Sequence, residues 1–350
     1  MYQFIQTLPL EYNLLLFLIF TAGIWWAGTR LTIIADFISE RHKLARTTIG
    51  LVLLASATSL PEIATTVSGS IIGNPDLVLN NLFGGIALQT TILAVADFWA
   101  RGAITNYPRK ASSALEATLL VTLLVCLQII ILLGEPIAIY GVGLGSITIA
   151  ILYISALVLL RRYETNNDWI PIDLPELSEP SSFKFGVAQK IRDTKLHKTY
   201  LLTAFTCGCI LFFGVGIVML SEKIALQTGL GSSFVGVTFL AAATSLPELA
   251  TTIAAVRLGA YTLAISNIFG SNLIMLVLVL PADTLDRSGP ILKHTSHTLE
   301  LAVALGLLTT TIYLVGLIVR RKINIAGFGI DSLLVILTYF SGLIIFYFIK

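Results

Sequence analysis

Charged residues are scarce in this chain. Of its 350 residues, 22 are Lys or Arg and 20 are Asp or Glu, so 12% are charged, whereas soluble domains carry about 25%. The mean hydropathy is +0.88. A chain this long with so little polar surface cannot remain dissolved as a globule, which excludes a cytosolic enzyme and predicts an integral membrane protein.

Cysteine and histidine are also rare. The three cysteines, Cys126, Cys207 and Cys209, lie in apolar runs, and the four histidines lie in or beside polar connectors. Neither set has the spacing of a disulfide framework or of a metal-binding cluster. The net charge of +2 comes without a clustered basic face, so no nucleic-acid partner is expected. The chain also lacks a nucleophile–base pair and a phosphate-binding loop, so we expect neither an enzyme nor a cofactor.

Ten apolar stretches are long enough to cross a bilayer, which takes about 20 residues each. They cover residues 10–34, 46–70, 76–100, 112–133, 138–160, 199–221, 231–256, 260–281, 298–319 and 326–349. The first stretch has no basic residue before Arg30, so we interpret it as a retained span and not as a cleaved signal peptide. The predicted fold class is therefore an all-α integral membrane protein with about ten transmembrane helices.

The longest connector, residues 161–198, divides the chain into two halves of five spans. The predicted domains are a first membrane repeat at 1–160, this linker, and a second membrane repeat at 199–350. The linker has an acidic front and a basic end. It is either a solvated connector or a regulatory segment that binds cations.

The distribution of basic residues predicts the orientation of the spans. Eighteen of the 22 Lys and Arg residues lie in the connectors that follow the odd-numbered spans, and the other 4 lie on the opposite face. Because Lys and Arg are enriched on the cytoplasmic side, we expect both termini outside a cell membrane and the linker in the cytoplasm. An odd number of spans in each half gives the two halves opposite orientations.

One stretch of sequence occurs twice. Residues 51–70 read LVLLASATSLPEIATTVSGS and residues 237–256 read VTFLAAATSLPELATTIAAV, which agree at 11 of 20 positions with an offset of 186. The same offset pairs Asn81 with Asn267, Phe83-Gly84 with Phe269-Gly270, and Asp97 with Asp283. The duplicated unit thus covers 46–100 and 231–283. Inverted repeats of this kind are typical of secondary transporters, whose binding site lies near the bilayer midplane.

Glu62 and Glu248 lie well inside these apolar repeats. A carboxylate at that depth is costly and normally faces a cavity or a partner. Two such groups brought together would repel each other unless a cation bridged them, and Ca²⁺ favours oxygen ligands of this type. Pro61 and Pro247 precede the glutamates and break the helix, which frees backbone carbonyls near the same point.

Each glutamate lies on a polar stripe of its helix. Helical spacing places a threonine and a serine one turn before each of them: Thr58 and Ser59, and Thr244 and Ser245. Other polar residues nearby either join the site or hold helices together: Thr65, Thr66, Thr251, Thr252, Asn81 and Asn267. Four further acids lie near span ends, where water reaches them: Asp36, Glu116, Glu300 and Asp331. We interpret these acids as boundary residues, with Glu116 or Glu300 as a proton relay the alternative.

These motifs resemble those of the cation/calcium antiporter superfamily, the sodium/calcium exchanger-like membrane proteins. In that superfamily two inverted repeats carry Gly-Thr-Ser-Leu-Pro-Glu on one helix and Gly-Asn-x-x-Gly-Ser-x-x-x-Asn/Asp on the next. The resemblance implies that both glutamates bind Ca²⁺ with threonine carbonyls, and that Na⁺ shares the glutamates and adds alanine carbonyls. The metal-site residues that it implies here are Glu62, Glu248, Thr58, Thr244, Ser59, Ser245, Ala55, Ala241, Ser271 and Gln89.

The chain departs from the family pattern at several positions. The residue before Thr-Ser-Leu-Pro-Glu is alanine in both repeats, and the family serine is replaced by Gly85 in the first repeat. The family Asn/Asp becomes Gln89 in one repeat and Met275 in the other. A thioether is a poor ligand for Ca²⁺ or Na⁺. The Na⁺ sites are therefore matched less well than the divalent site.

The predicted function is secondary active antiport of Ca²⁺, or a similar divalent cation, against Na⁺ or H⁺ by alternating access. The expected partners are the transported inorganic cations and the lipid bilayer, and the sequence leaves the oligomeric state open. Two alternatives remain: an H⁺-coupled exchanger of another cation, and an ion-sensing membrane scaffold that binds without transport.

Overall fold

The described part of the computed structural model is almost entirely helical. It comprises residues 5, 7–42, 55–100, 102–108, 111–165, 196–257, 259–286, 289–293, 296–320, 324–325 and 327–349. Apolar segments form helices because a helix satisfies its own N–H and C=O groups, which hydrocarbon cannot do.

Fourteen α-helices occur in these residues. They are α1 (Leu10–His42), α2 (Ala55–Thr58), α3 (Leu60–Ile72), α4 (Pro75–Ala96), α5 (Ser112–Leu133), α6 (Leu144–Thr165), α7 (Leu196–Thr228), α8 (Ser232–Val235), α9 (Ala241–Thr244), α10 (Leu246–Arg257), α11 (Tyr261–Val277), α12 (Val279–Leu285), α13 (His297–Val319) and α14 (Ile330–Ile349). A π-helical turn, Gly236–Leu240, joins α8 to α9. Short 3₁₀ turns at Asp97–Trp99 and Ile104–Asn106 follow α4.

Eight helical segments in the described residues are long and apolar enough to cross a membrane, and α8 to α10 make a ninth, broken span that bends by 45°. The all-α fold class is therefore confirmed. The predicted span 46–70 is described only from Ala55 onward, as α2 and α3. Most of the predicted linker 161–198 also falls outside the described residues.

Two predicted spans begin too early. Residues 138–143 form a hairpin of β1 (Ala138–Ile139) and β2 (Val142–Gly143), and the helix begins only at Leu144. The turn residues Tyr140 and Gly141 both have positive φ, which is the conformation of a tight two-residue hairpin turn. A second hairpin, β3 (Asn324–Ile325) with β4 (Phe328–Gly329), precedes α14 in the same way.

The helices form one large bundle and a separate pair. The pair consists of α1 and α7, which pack together through the rings of Phe20, Phe212 and Phe213. Their apolar cluster also includes Leu77, Leu240 and Ala243, so it joins the pair to the bundle. In the bundle, α4 and α11 belong to the most buried spans, at the centre of one continuous core. Helix α1 contacts α10, and α7 contacts α3. The pair therefore covers the helices that carry the repeated motif.

Candidate cation-binding site

Both copies of the repeated motif interrupt a helix at the same place. The break falls at Ser59, with φ −77° and ψ 7°, and at Ser245, with φ −81° and ψ 7°. Pro61 and Pro247 then occupy the first turn of α3 and α10, where a missing backbone N–H is tolerated. The predicted helix breaks are thus confirmed, and each leaves a glutamate in the first turn of a new helix.

Glu62 and Glu248 meet at the centre of the bundle. Both side chains are 0% exposed, and their carboxylates are close enough to repel each other. Each lies in the first turn of its helix, where the helix dipole favours negative charge. The Oε2 atom of each is buried, and no described residue forms a hydrogen bond with it. Two carboxylate oxygens are therefore available at the meeting point of the repeats.

On the Glu248 side, hydroxyl groups surround the carboxylate. The Ser271 hydroxyl donates to Glu248 Oε1 at 3.2 Å, and its oxygen lies 2.8 Å from Ser59 Oγ of the other repeat. The Thr58 side chain lies beside the same carboxylate, and its hydroxyl donates to the backbone carbonyl of Ala55.

On the Glu62 side, an amide replaces one hydroxyl. Gln89 Nε2 donates to Glu62 Oε1 at 3.4 Å and to Ser245 Oγ at 3.4 Å. The Thr244 side chain lies beside the same carboxylate, and its hydroxyl donates to the backbone carbonyl of Ala241. Each glutamate thus lies beside a threonine of the other repeat. Each is also linked to the serine at the break of the other repeat, Glu248 through Ser271 and Glu62 through Gln89.

The repeated asparagines support the motif from the next helix. Asn81 Nδ2 donates to Thr65 Oγ1 at 3.2 Å, and Asn267 Nδ2 donates to Thr251 Oγ1 at 2.9 Å. Thr65 in turn donates to the backbone carbonyl of Glu62 at 3.0 Å, and Thr251 donates to that of Glu248 at 2.9 Å. These hydrogen bonds hold the helices together, as the first of the two interpretations expects, and the buried Oδ1 atoms of Asn81 and Asn267 have no partner among the described residues.

Ala55 and Ala241 lie in the turn before each break, both 0% exposed. Their carbonyls accept local hydrogen bonds: Ala55 O from Thr58 Oγ1 at 3.2 Å, and Ala241 O from Thr244 Oγ1 at 3.3 Å. All ten sequence-predicted site residues are thus buried around the two breaks. Eight of them contribute side chains to the carboxylate network, and the two alanines offer only carbonyls that already have partners.

Several carboxylates outside this site are also buried, among them Glu116, Asp97 and Asp283. Glu116 is 1% exposed and accepts a hydrogen bond from Ser266 Oγ at 2.9 Å. Its prediction as a water-accessible boundary residue was wrong, because α11 covers the start of α5. Asp97 and Asp283 are 0% and 1% exposed. Asp97 and Asp283 repeat at the same offset of 186 residues as the motif. This repetition indicates that both aspartates have a role, and the sequence-based prediction missed it.

This set of groups can bind a hard cation. Carboxylate, hydroxyl, amide and carbonyl oxygens are the ligands that Ca²⁺ and similar ions prefer. The described ranges contain no cluster of three or more His, Cys, Asp or Glu residues that could hold a metal ion, so the two glutamates are the charged ligands that this site offers. The described cysteines are free. A bundle of apolar spans with paired carboxylates between two broken helices defines a multi-pass membrane transporter.

The chain belongs to the sodium/calcium exchanger protein family, whose sequence model matches residues 12–163 and 198–348. This is a family of transporters and not of enzymes, and it exchanges inorganic cations across membranes. The chain is accordingly a cation exchanger of the membrane.

Named relatives extend this similarity. The chain is 25% identical over 266 residues to "Inner membrane protein YrbG" of Escherichia coli K12, covering 76% of this chain and 77% of that protein. It is 24% identical over 266 residues to "Putative antiporter CaxA" of Alkalimonas amylolytica, covering 76% and 78%. Its fold is similar to solved structures of the sodium-calcium exchanger NCX_Mj. One, soaked with Na⁺ and no Ca²⁺, has a TM-score of 0.60 at 16% identity and covers 96% of this chain and 99% of that one.

Proposed function

We propose that this chain is a secondary active antiporter that exchanges Ca²⁺, or a similar divalent cation, for Na⁺ or H⁺. The observation that carries this proposal is the complete burial of Glu62 and Glu248, one from each copy of the motif, with each linked by hydrogen bonds to the break in the other repeat. Two ionised carboxylates in apolar surroundings are strongly disfavoured unless a cation compensates their charge. One divalent cation between them neutralises both.

The proposed ligands are the groups that already point at this position. They are the free Oε2 atoms of the two glutamates, the Ser271 hydroxyl that donates to Glu248, the Ser59 hydroxyl that contacts Ser271, and the hydroxyls of Thr58 and Thr244 beside the carboxylates. Gln89 holds Glu62 in place and links it to Ser245. The carbonyls of Ala55 and Ala241 join the coordination when their local hydrogen bonds open.

The proposed architecture is ten spans in two inverted halves, with both termini outside and the linker in the cytoplasm. The count of 18 basic residues against 4 supports this orientation. In the proposed alternating access the α1–α7 pair moves against the bundle, because this pair covers both broken helices. The name of the Escherichia coli relative favours the inner membrane as the location.

Flux of ⁴⁵Ca²⁺ into proteoliposomes tests the proposal. We expect Glu62→Gln and Glu248→Gln each to lower the initial rate at least roughly tenfold, because each removes one of two charges that bind the ion. The matched control is Glu11→Gln, the same substitution at an exposed carboxylate in the first turn of α1. It should retain the wild-type rate.

Wild-type flux in both glutamine variants would exclude the site assignment. Absence of flux in wild-type protein, with Ca²⁺ binding still measurable, would favour the sensing scaffold over the antiporter.

A further inference from the structure

Helix α5 begins without a side-chain cap. Its N-cap position is Ala111, and no side chain accepts a hydrogen bond from the first N–H groups of the helix. These N–H groups lack partners within the helix, and the helix dipole adds a partial positive charge at the same point. An uncapped helix start attracts anions, although it does not make a binding site by itself.

A cavity of about 190 Å³ lies at this helix start, between α5 and the end of α13. Its apolar walls include Pro108, Ala114 and Ile318, and Ser113 lines it as well. Ser113 is 1% exposed, and its hydroxyl oxygen is buried with no hydrogen-bond partner among the described residues. A buried hydroxyl without a partner is costly, so a ligand oxygen in this cavity would satisfy it.

Arg320 brings a positive charge to the same cavity. Its Nε donates to the backbone carbonyl of Leu317 at 3.2 Å, and its Nη2 donates to that of Pro108. Its Nη1 is buried and has no partner among the described residues. Two nitrogens therefore hold the guanidinium in place while the third is free. A guanidinium fixed in this way suits a phosphate group, which accepts several hydrogen bonds.

The repeat does not account for either donor. The offset of 186 pairs Arg320 with Gly134 and Ser113 with Leu299. Gly134 and Arg320 follow α5 and α13 in the left-handed conformation, with φ of 68° and 50°. Glycine adopts this conformation without strain, and residues with a side chain rarely do. The backbone at position 320 thus favours glycine, and only the guanidinium gives arginine an advantage there.

The sequence around the cavity carries charge of one sign. The ranges 98–115 and 301–330 contain no Asp or Glu, and they contain six basic residues: Arg101, Arg109, Lys110, Arg320, Arg321 and Lys322. A cluster of like charge raises the local concentration of anions. Ile318, at the wall of the cavity, is 64% exposed on the surface of this apolar bundle. A membrane lipid can therefore reach the cavity, as can a dissolved anion.

We propose that this cavity binds a phosphate group, which accepts hydrogen bonds from Arg320 Nη1, from the Ser113 hydroxyl and from the first N–H groups of α5. The group belongs either to free phosphate or to the headgroup of an anionic phospholipid, since both present the same tetrahedral oxygens. The site shares no residue with the carboxylate site and does not depend on the proposed exchange of cations.

Isothermal titration calorimetry of purified protein in detergent, without Ca²⁺, tests the inference. The probes are inorganic phosphate at constant ionic strength, a short-chain phosphatidic acid, and the diacylglycerol with the same acyl chains. We expect phosphate, phosphatidic acid or both to bind at one site per chain, and the diacylglycerol, which lacks the phosphate group, not to bind. Arg320→Gln should weaken binding at least about tenfold, because a hydrogen bond from a charged group is lost.

Two further variants complete the test. Ser113→Ala should weaken binding about threefold, as expected for one neutral hydrogen bond. It leaves the net charge and the helix unchanged, so it keeps the test decisive if Arg320→Gln does not fold. Arg161→Gln removes the same charge from an exposed position on α6 and should bind as wild type does.

The outcomes distinguish the two sources of the phosphate group. Binding of inorganic phosphate that displaces phosphatidic acid assigns the site to phosphate in general, and binding of phosphatidic acid alone assigns it to a lipid. Binding of neither probe, or equal affinity in wild-type protein and in folded Arg320→Gln and Ser113→Ala, would overturn the inference. Each of these results leaves the proposed exchange of cations to be decided by ⁴⁵Ca²⁺ flux.

Discussion

Asp283, in the second half of the chain, accepts a hydrogen bond from the backbone N–H of Gly143, in the first half, at 2.8 Å. Its repeat partner Asp97 makes the reciprocal contact, accepting from the N–H of Gly329 at 3.0 Å. Gly143 and Gly329 immediately precede α6 and α14. Each aspartate therefore satisfies a free N–H group at the start of the last helix of the other half, where negative charge is favoured.

The two contacts should contribute to stability. Asp97→Asn and Asp283→Asn each replace a charged acceptor with a neutral one, and we expect a loss of about 1–3 kcal/mol in the free energy of unfolding. Thermal unfolding of purified protein in detergent measures this loss. Asp76→Asn, at an exposed carboxylate in the first turn of α4, is the control and should lower the midpoint less, since an exposed charge at a helix start contributes only about 0.3–1 kcal/mol. Equal midpoints in all three variants would contradict the capping role.

Helix α1 approaches the second motif closely at one glycine. A Cβ atom at Gly28 would lie 2.6 Å from Pro247 Cβ and 2.9 Å from Pro247 Cα. Gly28→Ala should therefore push α1 away from the broken helix, with a destabilisation of about 1–3 kcal/mol and a slower ⁴⁵Ca²⁺ flux.

The matched control for this substitution is Gly208→Ala on α7, where a Cβ would meet no atom within 4 Å. It should be neutral or stabilising by up to about 1 kcal/mol, since alanine favours the helix. If both alanine variants behave alike, close approach at Gly28 is not required.

Glu135 lies outside the membrane spans, and its surroundings predict that the stability of the fold depends on pH. Its side chain is 3% exposed, and its Oε1 accepts hydrogen bonds from the N–H groups of Gly145 at 2.9 Å and Ser146 at 3.3 Å. Burial raises the pKa of Glu135, and the charge of Asp283 raises it further. The folded state therefore holds this proton more tightly than the unfolded state does.

The sign of the effect follows from proton linkage. A carboxyl group with a raised pKa stabilises the fold at pH values below its ordinary pKa, and this stability is lost as the pH rises through the folded-state pKa. Thermal midpoints should fall as the pH rises above the usual range of a glutamate. Glu135→Gln should flatten this dependence; an unchanged slope in that variant would assign it to other groups.

Much of the fold could be predicted from the sequence because the bilayer imposes simple rules. Apolar length predicts helices, and the doubled motif with its prolines predicts broken helices at Ser59 and Ser245. The hairpins at 138–143 and 324–329 could not be separated from the spans, since their apolar residues continue the hydrophobic pattern and only the turn geometry distinguishes them.

The sequence by itself determined the environment, the helical class and the two glutamates, because composition and an exact repeat are local properties of the chain. Only the tertiary structure decided how the two halves complete each other. Ser59 meets Ser271, Gln89 reaches Ser245, and Asp283 caps a helix of the other half. The residues in each of these contacts lie more than 130 positions apart in the sequence. Which residues meet depends on how the two halves pack, and no local sequence pattern specifies that packing. The burial of Glu116 has the same cause, since it lies beneath a helix that follows it by some 150 residues.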